Sequence, residues 1–193
     1  MGYYTKYFCK RAGKSGRVIS VEPVKVYRDI LRLNTRRCSS IEILPFALGN
    51  GNGTASMEIP SEDITRHGLT RITDSAGTGE SSWTVEVRDT EETFSNLAAL
   101  DYIKCDIEGY ENRVIPGLYR VIEREKPVIQ VELARENFNE INNHLISMGY
   151  TPYQARKKRL VKVEEKSNIE NDVIYLTEQL SLRFKNIIDL SSI

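Results

Sequence analysis

The run Lys104-Cys105-Asp106-Ile107-Glu108-Gly109-Tyr110-Glu111 sets three carboxylates within six residues. Like charges at this spacing shift one another's pKa values, which is costly unless they are used or neutralised. A general base, a hard-cation site of the kind that suits magnesium or calcium, or a clamp on a cationic ligand would each use them. The plainer alternative is a capped strand-to-helix turn with solvated acids. The run follows a predicted strand over 101–106, and Gly109 gives the backbone freedom to turn. In open α/β sheets, ligands bind outside the carboxyl ends of the strands. Glu132 ends the next predicted strand, 128–132, and should point into the same crevice. Glu22 ends the predicted strand 17–21, twenty residues after Gly2. A carboxylate there can accept two O–H donors at once, as from the hydroxyls of a ribose. It could equally be a surface acid ahead of a helix that Pro23 starts, favoured by the helix dipole. His67 is a further base candidate, because an imidazole's ordinary pKa suits neutral pH, although a lone loop histidine is more often surface.

The elements that must position these residues alternate. The spacing of Tyr4, Phe8 and Ala12 predicts a helix over 3–12, closed by Gly13. The strand 17–21 follows, then a helix from Pro23 to Asn34 with Tyr27, Ile30 and Leu31 on one side, then a strand over 41–46. Helix, strand, helix, strand is the order of an α/β fold. Residues 47–96 differ: they are rich in Gly, Ser and Thr and read as an excursion, with extended pieces at 54–59 and 83–87 around a mobile loop over about 61–81. Alternation resumes with the strand 101–106, a helix over 116–125, the strand 128–132 and a helix over 137–148. The last two strands are expected at 150–154 and 173–176, flanking a solvated charged hairpin from Arg156 to Lys166.

The chain has 193 residues, 40% apolar and 28% charged, which argues for one folded domain over 1–193 and against disorder. Lys plus Arg equals Asp plus Glu at 27 each, so no basic excess points to nucleic acid. No apolar run approaches the roughly 18 residues of a membrane span. The start carries no signal-peptide pattern, and Lys6 spoils a myristoylation match. Cys9, Cys38 and Cys105 are odd in number and scattered, and read as reduced thiols of a cytoplasmic protein, not as a disulfide or zinc framework.

In order along the chain, Gly2-Tyr3-Tyr4-Thr5, Gly13-x-x-Gly16-x-Val18, Val21-Glu22-Pro23, Asn34, Ala47-Leu48-Gly49, the block Asp101 to Glu111, Gly117, Lys126-Pro127 and Val131-Glu132 resemble FkbM-type methyltransferases. The pattern Asp-Tyr-Ile-Lys-x-Asp-x-Glu-Gly-x-Glu is its specific part, and the ordered set runs from residue 2 to about residue 150. The resemblance implies a class I, Rossmann-like fold: a mostly parallel twisted sheet with flanking helices and an antiparallel last strand. It implies S-adenosylmethionine as methyl donor, and transfer to an oxygen of a sugar, a glycan or another small-molecule acceptor. By matching position, Gly2, Tyr3, Tyr4 and Thr5 belong to the end of the first nucleotide-binding loop. Glu22, with Pro23 after it, matches the ribose-binding acid, Ala47 and Leu48 lie near the adenine, and Asp106 lies beside the methyl donor. Asp106, Glu108 and Glu132 are the candidates for the base, and no metal is assigned.

One departure is large. The family has a strand and an Asp-x-Gly-Ala-Asn-type loop ahead of Gly-Tyr-Tyr-Thr, and here Met1 stands where that loop finishes. The expectation is a sheet lacking its first strand, with weakened donor binding and exposed inner edges that invite self-association. Two other readings are a truncated, inactive remnant or binding module, and an NAD(P)-dependent oxidoreductase. The second needs a Gly-x-Gly-x-x-Gly turn, which the sequence does not contain.

Overall fold

The computed structural model describes residues 1–58, 71–73, 82–133, 138–163 and 172–189. The chain divides into two compact units, Met1–Asp89 and Thr90–Ile193.

The first unit begins with α1 (Tyr3–Ala12), β1 (Val18–Val21), α2 (Lys25–Thr35) and β2 (Ile41–Leu44). β1 and β2 pair in parallel, Val18 opposite Ile41 and Val21 opposite Leu44, as two strands joined through a helix should. α1 ends at Gly13, whose φ of 66° is left-handed and whose N–H donates to the Cys9 carbonyl. At its other end Gly2 has φ 79°, and a Cβ there would lie 2.7 Å from Leu31 Cδ1. Glycine is thus required twice over, by conformation and by the approach of α1 to α2. α2 buries Tyr27, Leu31 and Thr35, a stripe of one residue per turn. The excursion is a four-stranded sheet in the order β3 (Ala47–Gly49), β6 (Ser82–Asp89), β4 (Gly53–Glu58), β5 (Arg71–Thr73). β4 pairs antiparallel with β6, and β3 pairs parallel with it. Val85 and Val87 of β6 face a core of Val24, Tyr27 and Ala47, with Trp83 packed on Tyr27 at 5.7 Å between ring centroids.

Two expectations for this unit need correction. The stretch 61–81 is not all loop, because residues 71–73 form β5; the rest of it, His67 included, lies outside the described residues. Cys9 and Cys38 are not free thiols. They form a disulfide with Cα atoms 5.8 Å apart, because α1, β1 and α2 bring the end of the first helix back beside the turn before β2. Sequence separation hid this proximity. Cys105 is a free, buried thiol.

The second unit holds α3 (Thr90–Phe94), β7 (Tyr102–Cys105), α4 (Glu111–Val114), a 3-10 turn (Ile115–Leu118), α5 (Tyr119–Glu125), β8 (Val128–Val131), α6 (Phe138–Ser147), β9 (Tyr150–Arg156), β10 (Arg159–Lys162), β11 (Val173–Thr177), α7 (Glu178–Arg183) and β12 (Ile188–Asp189). The expected helix over 116–125 is therefore a tight turn that runs on into α5, and Gly117 there would set a Cβ 2.6 Å from Thr90 Cβ. Its six strands run β12, β10, β9, β11, β8, β7 across the sheet. β7 and β8 are parallel, and β11 runs antiparallel between β8 and β9. The strands over 150–156 and 173–177 are not the last pair. β10 folds back on β9 through the exposed Lys157-Lys158 turn, and β12 adds beside β10. Ile129 and Val131 of β8 are fully buried, paired with the buried Tyr175 and Val173 of β11, and Ile115, Ile122, Ile141 and Leu145 are fully buried as well.

α1 has no buried residue, so burial does little to hold it, and the disulfide is a main tether. Reduction, or Cys9→Ser, should remove about 3–4 kcal/mol of stability by the loop-entropy relation for a link across 29 residues. Thermal melts with and without reductant check this, together with amide exchange that should quicken first in α1. Identical melts in both conditions would show that the link contributes nothing.

Candidate active site

The sheet register of the second unit collects the acids. Lys104 of β7 lies opposite Gln130 of β8, which lies opposite Ile174 of β11. One position nearer the core-facing row, Cys105, Val131 and Val173 lie side by side and are buried. Side chains alternate along a strand, so the next residues, Asp106, Glu132 and Asp172, return to the face of Lys104 and Gln130. Their carboxylate oxygens lie within 4.8 Å of one another. The Lys104 ammonium donates to Asp106 Oδ2 at 2.9 Å and to Asp172 Oδ1 at 3.0 Å, with its side chain 9% exposed. Gln130 Nε2 donates to Asp172 Oδ2, and Tyr102 Oη donates to Gln130 Oε1.

Glu132 and Asp106 share a hydrogen bond, and this above all pushes the Glu132 carboxyl up to about 7. Burial and the charges of Asp106, Glu108 and Asp172 add to the effect. Burial works to raise Asp106 as well, but the bond from Glu132 and the bond and charge of Lys104 outweigh it and hold Asp106 below the usual carboxylate range. Below about pH 7 the pair therefore keeps one proton, and Glu132 is the partner that holds it. Burial opposes the Lys104 charge, and the two aspartates more than compensate, so the ammonium is kept. Three carboxylates at this spacing would suit a hard cation. Among the described residues that position is served by Lys104.

The three acids of the motif have separate fates. Glu111 is fully buried, and its Oε1 accepts the N–H groups of Ile107 at 3.0 Å and Gly109 at 3.3 Å. It clasps the turn in which Glu108 (φ 55°) and Gly109 (φ 96°) are left-handed. Glu108 stays at the rim, its carboxyl raised by burial and then by the charges of Asp106 and Glu111. Asp106 alone joins Glu132. Lys104, Gln130 and Asp172 were not read as site residues from sequence. The signal was present in part, since Lys104 shares the face of Asp106 by alternation, but Asp172 reaches them only through the antiparallel return of β11.

In the first unit, Glu22 follows β1 and its Oε1 accepts the Val24 N–H at 2.9 Å, at the start of α2. Burial, countered by that bond and by the Arg28 charge, leaves its carboxyl raised. Arg28 instead donates to the carbonyls of Glu22 at 3.0 Å and Pro23 at 2.8 Å, which pins the turn. Thr5 Oγ1 lies 3.4 Å from Ser20 Oγ. Tyr3 and Tyr4 are exposed and meet edge to face. Ala47 is a core residue packed with Val24 and Tyr27, while Leu48 is half-buried.

The methyltransferase FkbM domain matches residues 2–152. The fold is similar to the crystal structure of Methyltransferase FkbM from Methylobacillus flagellatus KT, with a TM-score of 0.51 and 18% identity over 82% of this chain and 36% of that one. This chain thus spans about a third of that protein's length. Among curated proteins none matches. With the domain matched over most of its residues, the chain belongs to the FkbM methyltransferase family.

Proposed function

We propose that this chain serves S-adenosylmethionine-dependent O-methylation of a small-molecule or sugar hydroxyl. The observation that carries the reading is the Asp106–Glu132 pair, two carboxyls at the ends of adjacent parallel strands that share a hydrogen bond, with Glu132 raised to about 7. Bound S-adenosylmethionine supplies a methyl group already activated on a sulfonium. What remains for the protein is alignment and removal of the acceptor's proton. A base whose conjugate acid titrates near 7 suits that task, because a good fraction of it is ionised at neutral pH and that form is still basic enough to pull. Glu132 takes the hydroxyl proton as the acceptor oxygen attacks. Asp106, held ionised by Lys104, keeps negative charge toward a cationic donor.

For the first unit taken by itself, the donor's other groups go in this reading to residues the family resemblance picks out. Glu22 spends Oε1 on Val24, and its Oε2 is the oxygen a ribose hydroxyl would reach. The Thr5 hydroxyl and the backbone of Gly2 to Thr5 are polar groups at the start of α1 of the kind a nucleotide-binding loop uses. The same reading makes Ala47 a packing residue beneath the adenine.

Three measurements test this. The methyl-transfer rate should rise about tenfold per pH unit below about 7 and level off above it, because Glu132 must lose its proton before it can accept another. Asp106→Asn should lower turnover about a hundredfold and move that inflection down by about one pH unit or more, since Glu132 loses its negative partner. A flat profile, or an inflection that stays in place, would remove the pair from the chemistry. Glu22→Ala should weaken S-adenosylmethionine binding about 10- to 100-fold in calorimetry, through lost charge-assisted bonds. Glu22→Gln, which can still accept from Val24, separates loss of ligand contact from loss of the turn.

A further inference from the structure

We propose that Lys104 and Asp172 are positioning residues that keep the proton of the Asp106–Glu132 pair on Glu132. Lys104 does this by ion-pairing Asp106 at 2.9 Å, and Asp172 by anchoring Lys104 at 3.0 Å from the antiparallel strand on the far side of Glu132. The inference rests on reading that pair as the base, and it extends the role of Lys104 to Asp172, with Gln130 and Tyr102 behind it.

The argument starts from symmetry. Two carboxyls that share a proton have no reason to place it on one partner unless their surroundings differ. Among the described residues they differ in their charged neighbours. Those that face Glu132 are Asp106 and Glu108, from β7 and its turn, and Asp172, ahead of β11. All three are acids, so each favours the protonated form of Glu132. Asp106 instead has Lys104 against its Oδ2. The ammonium therefore decides which carboxyl ionises first.

A lysine side chain has four rotatable bonds and would not hold that direction alone. Asp172 Oδ1 takes a second ammonium proton, and its Oδ2 is itself held by Gln130 Nε2. Tyr102 Oη fixes the amide through Gln130 Oε1, so that its nitrogen faces Asp172. The chain Tyr102–Gln130–Asp172–Lys104–Asp106 crosses β8 beneath Glu132, with each member set by sheet register. Asp172 thus has two effects: it aims the lysine, and its own charge discourages ionisation of Glu132.

The test is carbon NMR of the glutamate carboxyls, with Glu132 assigned by Glu132→Gln, titrated from about pH 4 to 9. In the wild type Glu132 should show its inflection near neutral pH. Lys104→Met should spread the Glu132 titration over two steps, the later one about one pH unit higher, because Asp106 then shares the proton and a positive charge is gone, and Asp172→Asn should move the inflection down by about one pH unit, because a negative charge is gone. Lys104→Arg, which keeps the charge, should restore the wild-type value. If Lys104→Met does not fold, the near-isosteric Asp172→Asn and Lys104→Arg still decide the matter. Unmoved inflections in folded variants, even with lowered melting temperatures, would overturn the proposal and leave both residues as structural supports. Methyl transfer is assayed on the same samples. Opposite shifts in a chain that transfers no methyl would support the proton placement and sink the proposed reaction, whereas transfer with unmoved inflections would do the reverse.

Discussion

The end of the six-stranded sheet depends on a largely buried ammonium between two aspartates. Asp106, Glu132 and Asp172 come together because three strands end at one level, and nothing in sheet geometry compensates the repulsion this creates. Lys104 does so from one step down the same strand face. Asp106 is then held below the usual carboxylate range, and Glu132 is left with a raised affinity for its proton. The electrostatic asymmetry thus follows from one lysine at a fixed register position. An uncompensated cluster of this kind would protonate or spread apart.

That arrangement needs a turn that delivers Asp106 at the right height. The turn is held from inside by Glu111, whose buried carboxylate receives two backbone N–H groups that no helix or strand could satisfy. The left-handed Glu108 and Gly109 are the conformations that point those N–H groups at one oxygen. A sequence of three acids in six residues therefore divides into one acid that builds the turn, one that faces the site and one at its rim. In the first unit Glu22 also builds a turn, since its Oε1 accepts the Val24 N–H just ahead of α2.

α1 shows a different way of holding an element. Its aromatic residues are not buried, and it is kept in place by a covalent link at Cys9, by the fit of Gly2 against Leu31 and by the Asn34 amide on the Met1 carbonyl. These are point attachments, each able to fail alone, whereas α2 is held along a continuous buried stripe. The family match begins at residue 2, so the helix attached this way carries the first matched residues.

Much of this was written in local pattern. The helices over 3–12 and 137–148, the strand–helix alternation, the antiparallel pair around 54–59 and 83–87, and the turn at Gly109 follow from periodicities and from residues with strong conformational preferences, and those act over a few neighbours. The ordered motifs from Gly2 to Glu132 also carried the family. Three matters were decided only in tertiary structure. The Cys9–Cys38 link joins residues 29 apart whose approach depends on how α1 and α2 return over β1. β10 and β12 exist because they have partners in β9 and in each other, and their short sequences alone do not specify a strand. Asp172 enters the site because β11 runs back beside β8, which sets it level with Glu132 forty residues away. By itself the sequence named the family and a set of candidate residues. The pairing of strands decided which of them meet, because distances across a sheet are set by register and not by separation along the chain.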